Sequence, residues 1–238
     1  MKFLYYLPAI GSPDLEIKLQ ILNHNLIYLY KNIGVKFDVL INCYDSYNDV
    51  SEHMKQYDFI ENVYKTDKKG ILTELWLTNE DNNKIHNYDY ILFIFDDVII
   101  ENIDINELIE IKKKYNIDII SPKIRKSTYL YMNTNNGLTF TNALEIYCIL
   151  LTPTDFDKYA SLNSVENKYM WGVDLLFGHF KVKTAIMNKY SALHVLPSKS
   201  DNHNAQLLFW KYMNKNGFKT KNEIIQKYPY VINDLIDF

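Results

Sequence analysis

Hydrophobic and polar positions alternate along this chain in two rhythms. Residues 2–9, KFLYYLPA, form an apolar run of strand length. After the turn residues Gly11-Ser12-Pro13, the apolar positions Ile17, Ile21, Leu22, Leu26 and Leu29 recur at helical spacing. Asp14 stands at the helix entrance as a candidate cap, and Gly34 at its exit. The same alternation predicts strands at 36–45, 60–66, 88–95 and 117–124, with helices at 69–79 and 105–116. The run 88–95 is almost continuously apolar, the mark of a strand buried on both faces. Strands alternating with helices predict an α/β fold with a largely parallel sheet.

The pattern changes after residue 125. Asn136-Gly137 signals a tight hairpin turn. A strand follows at 144–153, then a short helix with Pro153 in its first turn. Another short helix is predicted after Trp171-Gly172, a strand at 184–196, and two helices beyond Asn204. Residues 1–200 read as one domain and residues 201–238 as a helical extension packed on it.

Composition narrows the classes. The 238 residues are 47% hydrophobic and 15% aromatic, enough for a sizeable core. A net charge of −3 with no basic stripe argues against nucleic acid as a partner. The run Lys112-Lys113-Lys114 reads as a solvated helix face. Cys43 and Cys148, each inside an apolar run, make neither a disulfide framework nor a zinc site. They read as buried small hydrophobes in a reducing compartment. No apolar run approaches the roughly 20 residues of a membrane helix. The N-terminus lacks a small-residue cleavage site, so a soluble, cytoplasmic protein is expected. Seven scattered glycines leave no Walker loop, no GxGxxG and no GxSxG.

The chemistry concentrates in YDYILFIFDDVII, residues 88–100, where Asp96 and Asp97 interrupt an apolar run. At the carboxyl end of a buried strand they would face the crevice where open α/β sheets bind ligands. Adjacent carboxylates there raise one another's pKa, and a divalent cation relieves the repulsion. On these two residues alone, acids hydrating a surface loop at a strand end is an equally good reading.

Two further segments add to the pair. KYMWGVDLLFG (168–178) holds Trp171, Gly172 and Asp174: an apolar face for a sugar, a backbone free to come close, and an acid predicted at a helix start. SALHVLPSKS (191–200) places His194 after a strand and Lys199 in the following loop. In order, these segments resemble the GT-A glycosyltransferase family, and Trp-Gly-x-Asp resembles a segment of glycosyltransferase-like proteins of bacteria and plants. The resemblance covers about residues 2–200 and implies a Rossmann-like nucleotide-diphospho-sugar transferase fold: a mostly parallel central sheet flanked by helices, followed here by C-terminal helices.

The resemblance also implies roles. Asp97 maps to the metal-binding acid of the Asp-x-Asp motif and His194 to a second ligand, for Mn²⁺ or Mg²⁺. Asp96 maps to a ribose contact, while Phe95 stands where the motif's first Asp would be. Leu7, Pro8, Ala9, Ile10 and Gly11 would hold base and ribose, with Asp45, Lys69-Gly70 and Lys199 as further nucleotide contacts. Glu145, Trp171 and Gly172 would line the acceptor or sugar side, and Asp174 would be the base of an inverting transfer. The implied activity is a hexosyltransferase-like glycosyltransferase, taking a UDP- or GDP-sugar donor and a glycan or other hydroxyl acceptor. Two rivals remain on the residues: a non-catalytic nucleotide-sugar or glycan-binding module of the same fold, and a metal-dependent phosphotransferase.

Overall fold

The structure, a computed structural model, describes residues 1–43, 50–66, 80–126, 137–167, 169–196 and 202–235. The predicted helix at 69–79 and Asn136 of the predicted hairpin turn lie outside them.

Strand β1 (Phe3–Ile10) runs between β2 (Phe37–Cys43) and β4 (Tyr90–Ile94), parallel to both. β3 (Ile60–Thr66) adds to the outer edge of β2, also parallel. This is the parallel half that the strand–helix alternation predicts. Alternate residues of β1 serve opposite faces, as a pleated strand requires. Tyr5 faces Asn25 of helix α1 (Leu15–Ile33). Its neighbour Tyr6 meets Phe93 and Phe156 at 5.3 and 5.7 Å on the other face. Phe156 belongs to α4 (Pro153–Ser161), so helices cover both sides of the sheet.

α1 ends as the sequence predicts. Gly34 adopts the left-handed conformation at φ 68° and returns its N–H to Tyr30. Its start differs: Asp14 is itself left-handed at φ 66°, a geometry in which its side chain accepts no cap hydrogen bond. The short helix α2 (Val50–Met54) packs on β3, and α3 (Ile105–Tyr115) lies beside α1.

The stretch YDYILFIFDDVII is two strands, not one strand and a tail. β4 stops at Ile94, Asp96-Asp97 make a turn, and β5 (Val98–Asn102) leaves to pair antiparallel with β9 (Thr184–His194). A continuous apolar run hides this, because both strands are buried and apolarity alone does not mark the bend. Among the described residues β5 pairs with no strand but β9. Its other edge is satisfied by side chains of α1. Asn25, fully buried, donates to Val98 O and accepts from Ile100 N, both at 2.8 Å. His24 Nε2 sits 2.8 Å from Ile100 O, and the Tyr28 hydroxyl accepts from Ile103 N at 2.9 Å. Asn32 donates to Ile103 O and accepts from Ile105 N, both at 2.7 Å. Positions 24, 25, 28 and 32 share one helix face, so one stripe of α1 does for β5 and the residues just after it what a neighbouring strand would do.

Beyond β4 the sheet is mixed. β8 (Cys148–Leu151) is antiparallel to β4 and to β6 (Ile119–Arg125), and β6 is parallel to β9. β7 (Leu138–Thr141) is antiparallel to β9 and to β10 (Val231–Leu235). The order is β10-β7-β9-β6-β8-β4-β1-β2-β3. The C-terminal segment is therefore more than helical: after α5 (Asn202–Lys215) and α6 (Lys221–Lys227) it returns to the sheet as β10. Asn142 secures that return, its amide donating to Pro229 O at 2.6 Å and its N–H to Tyr230 O at 2.9 Å.

Lys112 is not on a solvated face. It is buried, reaching Asp118 O at 2.9 Å and Asp155 at 2.6 Å, and its ammonium also donates to Ile117 O. Cys43 and Cys148 are buried thiols outside any disulfide, and burial pushes the Cys148 thiol up to about 12. Among the described residues no helix is long and apolar enough to cross a membrane.

Candidate active site

The turn between β4 and β5 lies at the carboxyl end of the parallel half. β9 runs in the direction of β4, because the path from β4 takes two antiparallel steps and then a parallel one. The end of β9 therefore comes to the same edge of the sheet. The β5–β9 register sets Val98 opposite His194, which puts Asp97 beside the imidazole. His194 Nε2 is 2.9 Å from Asp97 Oδ2, and Val195 N donates to Asp97 O at 2.8 Å. The hydrogen bond to Asp97 raises the His194 pKa, against a smaller opposing effect of burial, and the charges of Asp97, Glu145 and Asp96 add to the rise.

Asp96 points elsewhere. Its Oδ2 is 2.8 Å from Lys18 Nζ, and Lys18 also donates to Gly11 O at 2.8 Å. Burial pushes the Asp96 carboxyl up to about 6, with Lys18 opposing and Asp97 adding. The ribose contact read for Asp96 thus competes with an internal ion pair. That pair ties the first turn of α1, the end of β1 and the acidic turn together.

Tyr147 closes the next side. Its ring stacks on His194, centroids 4.5 Å apart at 22°, and meets Phe95 edge-on at 5.7 Å. Burial raises its phenol pKa, and the charges of Glu145, Asp174 and Asp97 raise it further. Glu145 itself is buried at 2% exposure.

Asp174 is half-buried, and Leu144 N donates to its carbonyl at 3.2 Å. Its charge adds to the burial that holds up the phenols of Tyr159, Tyr212 and Tyr230. The helix predicted after Trp171-Gly172 does not form. Residues 171–175 are turns, and Gly172 takes φ +87°, which no right-handed helix contains. A helix N-terminus therefore does not act on Asp174. Gly172 also has a different use from the one read for it: a Cβ there would lie 2.7 Å from Phe209 and 3.1 Å from Met213, so the glycine admits α5. Trp171 is 37% exposed.

Of the candidate nucleotide residues, Leu7, Pro8, Ala9 and Ile10 are still strand, and Gly11 follows it. A register shift against β2 falls between Leu7 and Ile10. Pro8 and Ile10 are buried and Ala9 is half-exposed, so Ala9 and the backbone are what a base could touch. Asp45, Lys69, Gly70 and Lys199 lie outside the described residues.

Three residues important to this site were not singled out in the sequence: Lys18, Asn25 and Tyr147. Asn25 left a signal, an amide inside the apolar stripe of Leu22, Leu26 and Leu29. Lys18 and Tyr147 left none, being an ordinary helix lysine and one of 20 tyrosines.

Neither a protein-family model nor a curated protein matches the sequence. Solved structures do. S. aureus TarS matches with a TM-score of 0.58 at 12% identity, over 95% of this chain and 42% of that one. GalNAc-T7 with UDP, GalNAc and Mn²⁺ matches with a TM-score of 0.60 at 7% identity, over 95% of this chain and 56% of that one. The fold is GT-A. TarS 1–349 in complex with UDP-GlcNAc matches with a TM-score of 0.58 at 12% identity, over 95% and 70%. The chain spans about half the length of the first two.

Asp97 and His194 are the residues here that could hold a divalent cation, since their 2.9 Å hydrogen bond sets a carboxylate beside an imidazole. Carboxylate with imidazole is a donor set that Mn²⁺ accepts. Among the described residues no group of three or more His, Cys, Asp and Glu side chains forms a cage. The pair would thus leave most of the coordination sphere to phosphate and water.

Proposed function

We propose that this chain is a glycosyltransferase that moves a sugar from a nucleotide-diphosphate sugar to an acceptor hydroxyl. The observation that carries the reading is the Asp97–His194 pair at the carboxyl edge of a GT-A sheet. These two residues would hold Mn²⁺ or Mg²⁺, which supplies positive charge to the departing diphosphate. UDP is the donor nucleotide we favour, because TarS and GalNAc-T7 were both crystallised with UDP or a UDP-sugar.

The chain's own residues do the rest. Asp97 and His194 orient the diphosphate. Ala9 and the β1 backbone receive the base. Trp171 offers its exposed face to the acceptor, and Asp174 takes the hydroxyl proton as that oxygen attacks the anomeric carbon. A base on the acceptor side, opposite the leaving group, gives inversion. Lys18 keeps Asp96 turned away from Asp97, limiting the repulsion between the two carboxylates.

The test measures UDP-sugar binding calorimetrically with and without Mn²⁺, and UDP release with water standing in for the acceptor. Wild type is expected to bind a UDP-sugar only with the metal, and Asp97→Asn to lose that dependence. Asp174→Asn should bind donor normally but release UDP at least about 100-fold more slowly. Unchanged metal-dependent binding in Asp97→Asn would remove the metal assignment. Normal turnover in Asp174→Asn would remove the base, and binding without any turnover in wild type would leave a binding module.

A further inference from the structure

Phe95 stands where the resemblance expects an acid, and its surroundings give it another task. Phe93, fully buried between β1 and β8, meets Phe95 edge-on at 5.5 Å. Phe95 meets Tyr147 edge-on at 5.7 Å, and its N–H donates to Tyr147 O at 3.1 Å. Tyr147 stacks flat on His194, and His194 reaches Asp97 at 2.9 Å. A continuous series of rings thus leads from the core to the imidazole.

The last contact differs in kind from the others. An edge-to-face pair seats the rim of one ring on the face of the next and so holds Tyr147 in its place. A face-to-face stack at 4.5 Å and 22° fixes the plane of the imidazole. An imidazole binds a metal through a lone pair that lies in its ring plane, so rotation about Cβ–Cγ carries Nε2 off target. His194 sits at the last residue of β9, where the strand alone does little to hold a side chain.

The geometry points to Tyr147 as a positioning residue for His194, acting through its ring face and braced by Phe95. This rests on the reading that Asp97 and His194 hold a divalent cation beneath a nucleotide diphosphate. The hydroxyl of Tyr147 has no part in it, and the phenylalanine at the motif position is a brace rather than a missing ligand.

The experiment measures Mn²⁺ affinity in the presence of saturating UDP, by paramagnetic resonance of the free ion, for wild type, His194→Ala, Tyr147→Leu, Tyr147→Phe and Phe95→Leu. Urea midpoints are recorded for each. Tyr147→Leu is expected to weaken Mn²⁺ by about tenfold, the usual cost of losing a group that orients a metal ligand. Tyr147→Phe should bind as wild type does, because the ring face is kept. Phe95→Leu should fall between them, and it carries the comparison if Tyr147→Leu does not fold. Wild-type affinity in Tyr147→Leu or Phe95→Leu, with His194→Ala weakened, overturns the positioning role and leaves the metal reading intact. Equal weakening in Tyr147→Phe and Tyr147→Leu overturns it too, by assigning the effect to the hydroxyl. Wild-type affinity in His194→Ala overturns the metal reading itself.

Discussion

Replacing Asn25 with leucine tests whether α1 serves as the missing neighbour of β5. Asn25 has no exposed surface and gives two 2.8 Å hydrogen bonds, to Val98 O and from Ile100 N. Leucine has a similar size but no polar atom, so both backbone groups would be left buried and unpaired. Each such orphan costs about 1–3 kcal/mol, or roughly 4 kcal/mol for two. The extra apolar carbon of leucine returns about 1 kcal/mol. The expected net loss is about 3 kcal/mol, a large part of the roughly 5–15 kcal/mol of a typical domain. With a urea slope of about 2–3 kcal/mol/M, the midpoint should drop by about 1 M or more. The assay is urea unfolding followed by tryptophan fluorescence at constant pH, without nucleotide. Asn25→Asp is the companion variant: it keeps the acceptor for Ile100 N but sets a carboxylate against the Val98 carbonyl, and should be at least as unstable. A midpoint for Asn25→Leu within experimental scatter of wild type would refute the reasoning, since β5 would then be held by β9 alone.

Other outcomes follow from the same geometry. Mn²⁺ binding should strengthen as pH rises through the raised pKa of His194, with proton release on binding, because the metal takes the position of the imidazole proton; calorimetry in buffers of different ionisation heat reads the proton directly. In the metal-free protein two groups of the site should contribute less to stability as pH rises. Asp96 carries a raised pKa, so its contribution is present in full below about 4 and disappears as pH passes about 6. His194, also raised, contributes below its usual value and that contribution is lost higher up. Asp96→Asn should flatten the lower part of this slope in urea titrations. Gly172→Ala forces an L side chain to φ +87° and against Phe209 at 2.7 Å. It should cost about 2 kcal/mol or more, read as a lower melting temperature.

What the sequence disclosed and what it withheld divide along physical lines. The parallel half was legible because each strand and helix carries its own periodicity: β1, α1, β2, β3 and α3 fall within a residue or two of the spans read from the pattern. The acids at the end of β4 were legible because charge inside an apolar run is conspicuous. The turn that follows them was not, since Val98-Ile99-Ile100 continues the same apolarity while reversing the chain. β10 was missed for the opposite reason: VINDL is short and mixed, and only its partner β7 makes it a strand. Partnerships across distance have no local signature. Lys18 with Asp96, and Tyr147 with His194, are separated by 78 and 47 positions respectively (96 − 18 and 194 − 147). The buried lysine Lys112 was misread because a helix surface looks alike whether water or a carboxylate covers it.

The polar stripe on α1 has a consequence for alignment. Strands joined only by their ladders can slip by two residues and keep every side chain on its proper face. A slip of β5 along β9 would move Asp97 by about 7 Å from His194 at some 3.3 Å per residue. Asn25, Tyr28 and Asn32 together oppose the slip: they hold β5 and the residues just after it at set points, and helix α1 cannot follow the strand. The helix thus works as a ruler laid beside the sheet, and the distance it measures off is the one between an acid and an imidazole.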